Sequence, residues 1–381
     1  MDFEDIRPYR DDEFHKIITE LFEIQPLMAT IDNYLEDFTL PEIKKMMLSF
    51  DTIQEFQSKM VCQFISKIID RSVNNFSYDG ILKLDKNESY LLLSNHRDIV
   101  LDSALINYCL NDREYNTSEI AIGDNLLSKD WIKKLVRINK SFIVKRNIPK
   151  QEMLPSSQNL SAYIDYTLKE KKQSVWIAQR EGRAKDGFDK TNPGLLKMFG
   201  MAAKDNLLDH LISLNITPVS IAYELDPCDG FKVPELIKKE AGEEYIKAKG
   251  EDEKNMLLGI QGNKGNVHLQ FGTPINEKIK EFSAIKNRNE LLKNIAGVID
   301  REIYKNYHLW NSNYVAYDVL HSSTKYVSKY DKNGKEQFLD YMNSKLGNLV
   351  GDNQAENIFL QMYANPTINA EATKQFQKLI K

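Results

Sequence analysis

The first 74 residues have the hydrophobic spacing of α-helices. Apolar side chains recur there at intervals of three and four residues, which places them on one face of a helix. The clearest examples are Met46, Met47, Phe50 and Ile53, followed by Met60, Val61, Phe64, Ile65, Ile68 and Ile69. Pro41 and Glu42 form a typical helix start ahead of this stripe. We therefore expect a helical region over residues 1–74 whose stripe packs into the core, with contact to a lipid surface as the alternative.

From Asp79 onward, short apolar runs alternate with helical patterns. The strand-like runs are Ile81–Leu84, Tyr90–Leu93, Glu119–Ile122, Ser141–Lys145, Ser174–Ala178, Ile216–Glu224 and Asn266–Phe271. The helical patterns between them are Asp102–Leu110, Trp131–Arg137 and Leu160–Lys171. Strands that alternate with helices are typical of α/β proteins, in which helices cover both faces of a sheet. The predicted fold is therefore α/β, with a central mixed sheet flanked by helices and with helical additions at the N- and C-terminal ends.

The last part of the chain is predicted to be helical again. After Glu224 the sequence becomes polar, and the charge-rich stretch Lys232–Lys249 indicates a solvated helix. The C-terminal residues show a helical pattern with an apolar face, interrupted by a polar loop at Tyr330–Lys335. The predicted regions are an N-terminal helical region at 1–74, a central α/β domain at 75–280 and a C-terminal helical region at 281–381.

One predicted strand end carries a candidate catalytic group. The run Leu91–Leu93 continues into Ser94-Asn95-His96, and ligands bind at this edge of open α/β sheets. A carboxylate that accepts the Nδ1–H of His96 would leave Nε2 free to act as a base. Asp102, in the first turn of the predicted helix, is our choice for that partner. Asp98 is the other candidate, but it can instead bend the loop by bonding to backbone N–H groups. A strand-end histidine with a purely structural role is the alternative.

Two further strand ends carry charged groups. Arg146 follows the run Ser141–Lys145, and Glu181 follows the run Ser174–Ala178. Because the carboxyl ends of the strands form the ligand-binding edge of such a sheet, we expect His96, Arg146 and Glu181 to converge there.

Taken in order, these segments resemble the four sequence blocks of the glycerol-3-phosphate and lysophosphatidic acid acyltransferase superfamily. The family pattern runs Asn-His-x4-Asp, Phe-Ile-x-(x)-Arg, Phe-Pro-Glu-Gly-Thr-Arg-Ser and Val-Pro-Val. The residues that match it are His96, Phe142, Arg146, Glu181, Gly182 and Pro218. The segment Val267–Ile275 is similar to the closing strand and Phe-Gly-x-Pro-Ile turn of the family. The resemblance spans roughly residues 75–280 and implies that they form an acyltransferase catalytic domain.

The chain departs from the family pattern in two blocks. Five residues separate His96 from Asp102 where the family has four, and Asp98 lies only two positions from His96. The third block, Glu181–Gly187, is one residue shorter than the family run and lacks its Thr and Ser. The first departure leaves the carboxylate partner of His96 open, and the second leaves open whether Arg183 or Lys185 takes the family's phosphate-binding role.

The resemblance implies acyl transfer from a thioester to the hydroxyl of a glycerol phosphate or lysophospholipid in phospholipid biosynthesis. His96 would be the general base and Asp102 the carboxylate that orients it. The implied substrate-binding residues are Arg97, Phe142, Arg146, Glu181, Gly182, Arg183 and Lys185. The donor would be acyl-CoA or an acyl carrier protein thioester, used as a co-substrate with no bound cofactor. Two alternatives stay open: transfer to a different acceptor, such as an amino-acid lipid, and a non-catalytic lipid-binding protein of the same fold.

Composition narrows the range of partners and compartments. The chain has 381 residues, 42% hydrophobic and 28% charged, and its net charge of −4 argues against a general nucleic-acid-binding surface. Its three cysteines and its isolated histidines show no metal-ligand spacing. No run of about 18 or more apolar residues occurs, and the N-terminus is acidic rather than signal-like. We expect a cytoplasmic protein that binds peripherally to the inner face of the membrane.

Overall fold

The computed structural model describes residues 2–34, 37–127, 129–146 and 148–380, with the backbone alone for 376–380. Seven strands form one sheet within these residues. They are β1 (Asn75–Asp79), β2 (Leu91–Ser94), β3 (Glu119–Gly123), β4 (Ser141–Val144), β5 (Val175–Ala178), β6 (Ile216–Tyr223) and β7 (Asn266–Phe271). Their order across the sheet is β1-β7-β6-β2-β5-β3-β4, which places β2 at the centre.

The sheet is mixed. The strands β6, β2, β5, β3 and β4 run parallel to one another. By contrast, β7 pairs antiparallel with β6, and β1 runs parallel to β7. The predicted α/β fold with a mixed sheet is therefore confirmed. Because the five parallel strands point the same way, their C-terminal ends lie together at one edge of the sheet, here termed the carboxyl edge.

Seventeen α-helices lie within the described residues. They are α1 (Phe14–Phe22), α2 (Gln25–Tyr34), α3 (Leu40–Met47), α4 (Ile53–Phe56), α5 (Cys62–Ser72), α6 (Leu101–Asp112), α7 (Asp130–Ile138), α8 (Lys150–Lys169), α9 (Pro193–Phe199), α10 (Leu207–Ser213), α11 (Asp229–Glu240), α12 (Glu251–Gln261), α13 (Asn276–Lys280), α14 (Arg288–Lys305), α15 (Asn311–Leu320), α16 (Lys332–Leu346) and α17 (Asn353–Ile380). Of the helices in this described part, none is both long enough and apolar enough to cross a bilayer.

The alternation of side chains along the central strands divides the core into two layers. Leu91 and Leu93 of β2 are buried on the side covered by α8, α9 and α14, whereas Leu92 is buried on the side covered by α5 and α6. In β5, Val175 belongs to the first layer and Trp176 to the second. Successive residues of a strand point to opposite faces. Because both faces of the sheet are covered, the central strands β2 and β5 have continuous apolar runs in the sequence.

Six of the seven strands lie within one residue of their predicted bounds, but the run Ile81–Leu84 is not a strand. Ile81–Lys83 forms a 3₁₀ turn after Gly80, whose φ is +84°. A side chain at Gly80 would collide with the backbone carbonyl of Phe271, so the chain turns here at a residue suited to positive φ. The additional strand is β1, which lies at an edge of the sheet and has only partly buried side chains between its exposed ends.

Helices α1–α5 occupy the N-terminal region that was predicted to be helical. Helix α3 begins with a capping box, in which the Glu42 carboxylate accepts the Thr39 backbone N–H at 2.8 Å, and Pro41 lies in its first turn. Met60 is buried in a cluster formed with α1, and Ile68 is buried against the sheet layer that contains α6. Core packing of these members of the hydrophobic stripe is therefore confirmed.

The C-terminal helices form an apolar cluster of their own. Phe338 of α16 and Phe359 of α17 are buried in it. The predicted loop at Tyr330–Lys335 is wrong beyond its first residues, because α16 begins at Lys332. Asp331 caps this helix by accepting the N–H of Gly334 at 2.6 Å.

The predicted helix at Lys232–Lys249 is also placed differently. Helix α11 starts earlier, at Asp229, and ends at Glu240. Lys232 is buried, with its ammonium group paired with Asp226, so this part of the helix is not solvated. The charge-rich pattern wrongly predicted solvent exposure for this part of the helix, because a lysine can be buried when a carboxylate lies beside it.

Candidate active site

The carboxyl edge brings together the segments that carry the candidate residues. His96 lies two residues beyond β2, Arg146 two beyond β4 and Glu181 three beyond β5. Arg146 and Glu181 form an ion pair, with 3.2 Å between Nη1 and Oε1. The loop after β5 also meets the loop after β2, because the amide of Ala184 donates to the carbonyl of His96 at 3.0 Å. These contacts follow from the parallel direction of β2, β4 and β5.

His96 and Asp102 form a hydrogen-bonded pair. Nδ1 of His96 lies 2.8 Å from Oδ2 of Asp102. The Asp102 side chain is fully buried, whereas His96 keeps 14% of its side-chain surface exposed. A carboxylate acceptor at Nδ1 favours the tautomer with the proton on Nδ1. No hydrogen bond joins Nε2 of His96 to another described residue, so this nitrogen is placed to accept a proton.

Backbone geometry explains why Asp102 meets the imidazole. Asp102 is the second residue of α6. Its Oδ2 also accepts the amide of Arg97 at 2.6 Å and the amide of Asp98 at 3.1 Å. These two bonds fold the loop over the start of the helix and bring the ring of His96 onto the carboxylate. The five-residue separation between His96 and Asp102 is accommodated by this turn.

Asp98 has a structural contact instead of a bond to His96. Its Oδ1 accepts the amides of Val100 at 2.9 Å and Leu101 at 2.8 Å, which satisfies donors at the start of α6. Burial and the neighbouring charge of Asp102 raise the pKa of Asp98. Asp98 thus makes the loop-bending bonds to backbone amides that the sequence offered as the alternative to a catalytic role.

Trp176 contacts the imidazole at its other side. The rings of Trp176 and His96 meet edge to face, with 5.9 Å between their centroids. The indole is itself fixed, because Nε1 of Trp176 donates to Oγ of Ser94 at 3.0 Å. Aromatic contacts of this geometry contribute about 0.5–1.5 kcal/mol beyond area burial. His96 is therefore held by both a carboxylate and an aromatic edge.

Arg97, predicted to bind substrate, is a largely buried cation that is engaged by protein groups. Its guanidinium donates to both carboxylate oxygens of Asp189, at 2.7 and 2.5 Å, and to the carbonyl of Ala184 at 3.2 Å. Tyr307 also donates to Asp189. Burial opposes the charge of Arg97, but the adjacent carboxylate of Asp189 outweighs it and raises the pKa of Arg97. Through its two bonds to Asp189, Arg97 connects the loop after β2 with the loop after β5.

Phe142, predicted to bind substrate, is a core residue. It lies within β4, is fully buried, and packs with its ring centroid 5.3 Å from that of Tyr163 in α8. Because Phe142 lies two residues before the end of the strand, its side chain points into a helix layer and not toward the carboxyl edge. Its match to the family block therefore has a packing explanation.

Arg146, Glu181 and Gly182 lie at the rim of the carboxyl edge. The side chain of Glu181 is 72% exposed and that of Arg146 is 31% exposed. Gly182 has a φ of +69°, and no atom lies within 4 Å of the position that its side chain would take. An ion pair this open to solvent contributes little to stability.

The two candidate phosphate cations of the third block differ in their surroundings. Lys185 forms an ion pair with Glu235 of α11, and burial lowers its pKa. Arg183 has a buried Nη1 with no hydrogen-bond partner in the part of the chain that the structure describes. A buried donor without a partner is costly, and an anionic ligand would supply one. Arg183 is therefore the better placed of the two for an anion.

Tyr223 completes the contacts of Asp102 and was not singled out from the sequence. It is the last residue of β6, and its hydroxyl donates to Oδ1 of Asp102 at 3.0 Å. Tyr223 also lines a small cavity, together with Arg97, Asp226 and Asp229. A usable signal was available, because Tyr223 is the last residue but one of the predicted strand Ile216–Glu224, and the other candidate residues also lie at or after the ends of predicted strands.

In the part of the chain that the structure describes, no group of three or more His, Cys, Asp or Glu side chains could hold a metal ion. Two of the remaining histidines bond to backbone carbonyls, His15 to Phe50 and His210 to Phe199, each at 3.0 Å. These side chains have structural partners away from the carboxyl edge.

Comparison with known proteins finds similar solved structures, among them the 1-acyl-sn-glycerophosphate (LPA) acyltransferase PlsC from Thermotoga maritima. The similarity covers 79% of this chain and 99% of that protein, with a TM-score of 0.39 and 12% sequence identity. No protein-family model matches the chain, and no curated protein matches it. A likeness of this degree carries no conclusion about activity, which has to be argued from the side chains themselves.

Arg97→Ala is expected to lower the free energy of unfolding by about 3–5 kcal/mol, because it leaves the buried carboxylate of Asp189 without its cation. The matched control is Arg146→Ala, which removes an exposed ion pair and should cost about 1 kcal/mol or less. Urea denaturation followed by circular dichroism measures both values. Equal stability of the two variants would contradict the structural role of Arg97.

Proposed function

We propose that this protein is an O-acyltransferase that moves a fatty acyl group from a thioester donor to the hydroxyl of a lipid or lipid precursor. The observation that carries the proposal is the hydrogen-bonded pair of His96 and Asp102 at the carboxyl edge. A reaction class is suggested by the order of sequence blocks around this pair, which resembles that of the glycerolipid acyltransferases. The geometry alone supports a general base, and the blocks favour acyl transfer over other uses of one.

The chemistry follows from the weakness of a hydroxyl as a nucleophile at neutral pH. Nε2 of His96 accepts the hydroxyl proton as the oxygen attacks the thioester carbonyl, and Asp102 stabilises the resulting imidazolium. The tetrahedral intermediate collapses, the carbon–sulfur bond breaks, and the imidazolium returns the proton to the leaving thiolate. Acyl-CoA or an acyl carrier protein serves as the co-substrate. Since a thioester is already activated, the reaction needs neither a covalent acyl-enzyme nor a bound cofactor.

A phosphorylated acceptor, either a glycerol phosphate or a lysophospholipid, is our leading candidate. Arg183 supports it, because a phosphate oxygen would give its buried Nη1 the partner that the described residues lack. Arg146 offers a second guanidinium at the rim of the same edge. Glu181, beside Arg146, is then placed to orient the acceptor hydroxyl. Phosphate recognition would in this case be local, carried by two arginines in a protein of negative net charge.

A phosphate-free acceptor, such as an amino-acid lipid, is the second candidate. It is favoured by the engagement of the other cations near the site, because Arg97 pairs with Asp189 and Lys185 pairs with Glu235. Asp98 adds a buried carboxylate close to the catalytic pair. These charges reduce the positive potential available to a phosphate.

A lipid acceptor also requires the carboxyl edge to approach a bilayer. Helix α8 follows β4 and therefore starts at this edge, and its first turns carry Met153 and Leu154, which are 53% and 58% exposed. Phe188, in the loop after β5, is 43% exposed. We infer peripheral binding in the cytoplasm, at the inner face of the membrane, with these apolar side chains entering the interface.

His96→Ala should lower the transfer rate about 10²–10⁴-fold and leave the protein folded, because it removes the base from a partly exposed position. Asp102→Asn should be nearly as damaging, since an amide can favour the wrong imidazole tautomer. Asp98→Asn is the matched control, because its amide oxygen can still accept the helix N–H groups and it does not bond to His96. Purified protein with a labelled acyl thioester and a panel of acceptors gives the rates. Undiminished transfer by a folded His96→Ala variant would exclude the mechanism.

Arg183→Ala should raise the KM for a phosphorylated acceptor about 10- to 100-fold, because it removes a charge-assisted contact made in the ground state. Arg146→Ala should act in the same direction, and Arg183→Lys should recover only part of the loss. The KM for the donor should change little. Lys185→Ala is the matched control and should leave the acceptor KM near that of the parent protein. Unchanged acceptor KM in both arginine variants would favour the phosphate-free acceptor.

Leu154→Glu should weaken binding to phospholipid vesicles by about tenfold or more, because it replaces an apolar side chain that would be buried in the interface. Leu82→Glu is the matched control. Leu82 is 74% exposed but follows β1, which runs opposite to the five parallel strands and ends away from the carboxyl edge. Vesicle co-sedimentation measures both, and high-salt or carbonate washing should release the parent protein. Equal loss of binding in the two variants would contradict the proposed orientation.

A further inference from the structure

We infer that Tyr223 is a positioning residue for the pair of His96 and Asp102. Its hydroxyl holds the second oxygen of the carboxylate and so fixes the direction in which Asp102 meets the imidazole. The kinetic consequence rests on the proposed function, whereas the coupling between Tyr223 and His96 does not.

The sheet register fixes the place of Tyr223. In the antiparallel pair of β6 and β7, Tyr223 lies opposite Val267. In the parallel pair of β6 and β2, Val219 lies opposite Ser94, so Tyr223 is four residues beyond that level toward the carboxyl edge. Side chains two apart on a strand share a face. Val219 and Ile221 are buried in the layer that contains α6, and Tyr223 packs against the same layer. Strand geometry therefore directs its ring toward the helix that carries Asp102.

The hydrogen bonds of Asp102 divide between its two oxygens. Oδ2 accepts from His96 and from two backbone amides, those of Arg97 and Asp98. Oδ1 accepts from Tyr223, the partner that it has among the described residues. Since Asp102 is fully buried, loss of this hydroxyl leaves a carboxylate oxygen without a donor. The three bonds to Oδ2 then remain, and the carboxylate places more of its charge on the imidazole.

Tyr223 remains a donor over the working range of the site. Burial, followed by the charges of Asp102 and Asp98, raises the pKa of Tyr223 well above its ordinary value. A neutral phenol cannot become a competing anion beside Asp102. Other charged groups in these surroundings come from the elements around it: Asp226 after β6, Arg183 after β5 and Lys264 before β7. None of them is altered by substitution of Tyr223.

The sign of the expected effect follows from the direction of the bond. A donor on Oδ1 withdraws charge from the carboxylate, so its removal strengthens the attraction between Asp102 and the imidazolium form of His96. The pKa of His96 should therefore rise. The base must be neutral to accept a proton, so the acidic limb of the rate profile should move to higher pH.

The first experiment measures His96 directly in the full-length protein. Proton NMR titration of the six histidine rings follows each pKa, and His96→Gln identifies the relevant signal. Tyr223→Phe keeps the ring and removes the hydroxyl, and we expect the pKa of His96 to rise by about 0.5–1 unit. Tyr115→Phe is the matched control, because it removes a buried hydroxyl that donates to the carbonyl of Leu84 at 2.7 Å. It should leave the pKa of His96 unchanged.

A second substitution probes the same bond in the opposite direction. Replacement of Tyr223 by 3-fluorotyrosine retains the ring and the hydroxyl but makes the phenol a stronger donor. The pKa of His96 should then fall, by a few tenths of a unit or more. This variant preserves the hydrogen bond, so it provides the test if Tyr223→Phe does not fold. An unchanged His96 pKa in a folded variant at position 223 would overturn the inference.

Kinetics supply the catalytic test. For Tyr223→Phe we expect kcat to fall about tenfold with the KM values of both substrates nearly unchanged, because the contact acts on the base and not on bound substrate. The acidic limb of the rate profile should shift with the pKa measured by NMR. A parent protein without any acyl transfer would refute the proposed function alone, since the titration still decides the coupling. A loss of rate with an unshifted His96 pKa would instead assign Tyr223 a general structural role.

Discussion

The buried carboxylate of Asp102 is the constraint from which the arrangement of the site follows. A fully buried charge is tolerated only when donors surround it, and Asp102 obtains them from two parts of the chain. The loop after β2 supplies two backbone amides and the imidazole of His96, and β6 supplies the hydroxyl of Tyr223. The hydrogen bonds to this one carboxylate therefore fix the loop after β2, favour one tautomer of His96 and connect α6 to β2 and β6. The His96 side chain keeps 14% of its surface exposed in this arrangement.

A second buried charge pair supports the first. Arg97 and Asp189 connect the loop after β2 with the loop after β5, and the bond between Ala184 and the carbonyl of His96 runs alongside. This connection places the third sequence block, which includes the buried donor of Arg183, next to His96. His96 faces the site, and the next residue secures its position from inside the protein.

The charges around the pair also bear on the choice of substrate. Most cations near the carboxyl edge already have carboxylate partners, which leaves Arg183 and the loosely paired Arg146 for an anion. A phosphate would therefore be bound by a small number of strong contacts, and not by a broad positive field. Exposed apolar side chains beside the same edge are compatible with a substrate that enters from a bilayer. The site thus combines a small number of contacts suited to an anion with exposed apolar side chains beside them.

The sequence by itself determined the fold class, six strands to within one residue, and the strand end that carries His96. These features are local, because a strand covered on both faces must be apolar along its whole length, and helices show their own short period. The edge strand β1 was not predicted, because its side chains are only partly buried and this pattern does not apply to it.

Tertiary structure decided the partners of each charge. Asp98 and Asp102 are both near His96 in the chain, and only the path of the backbone selects between them. Arg97 and Arg146 both resemble phosphate ligands in the sequence, yet one meets Asp189, 92 residues away, inside the protein and the other lies at the rim. Charge pairing is long-range in sequence and short-range in space, so it is set only when the chain has folded.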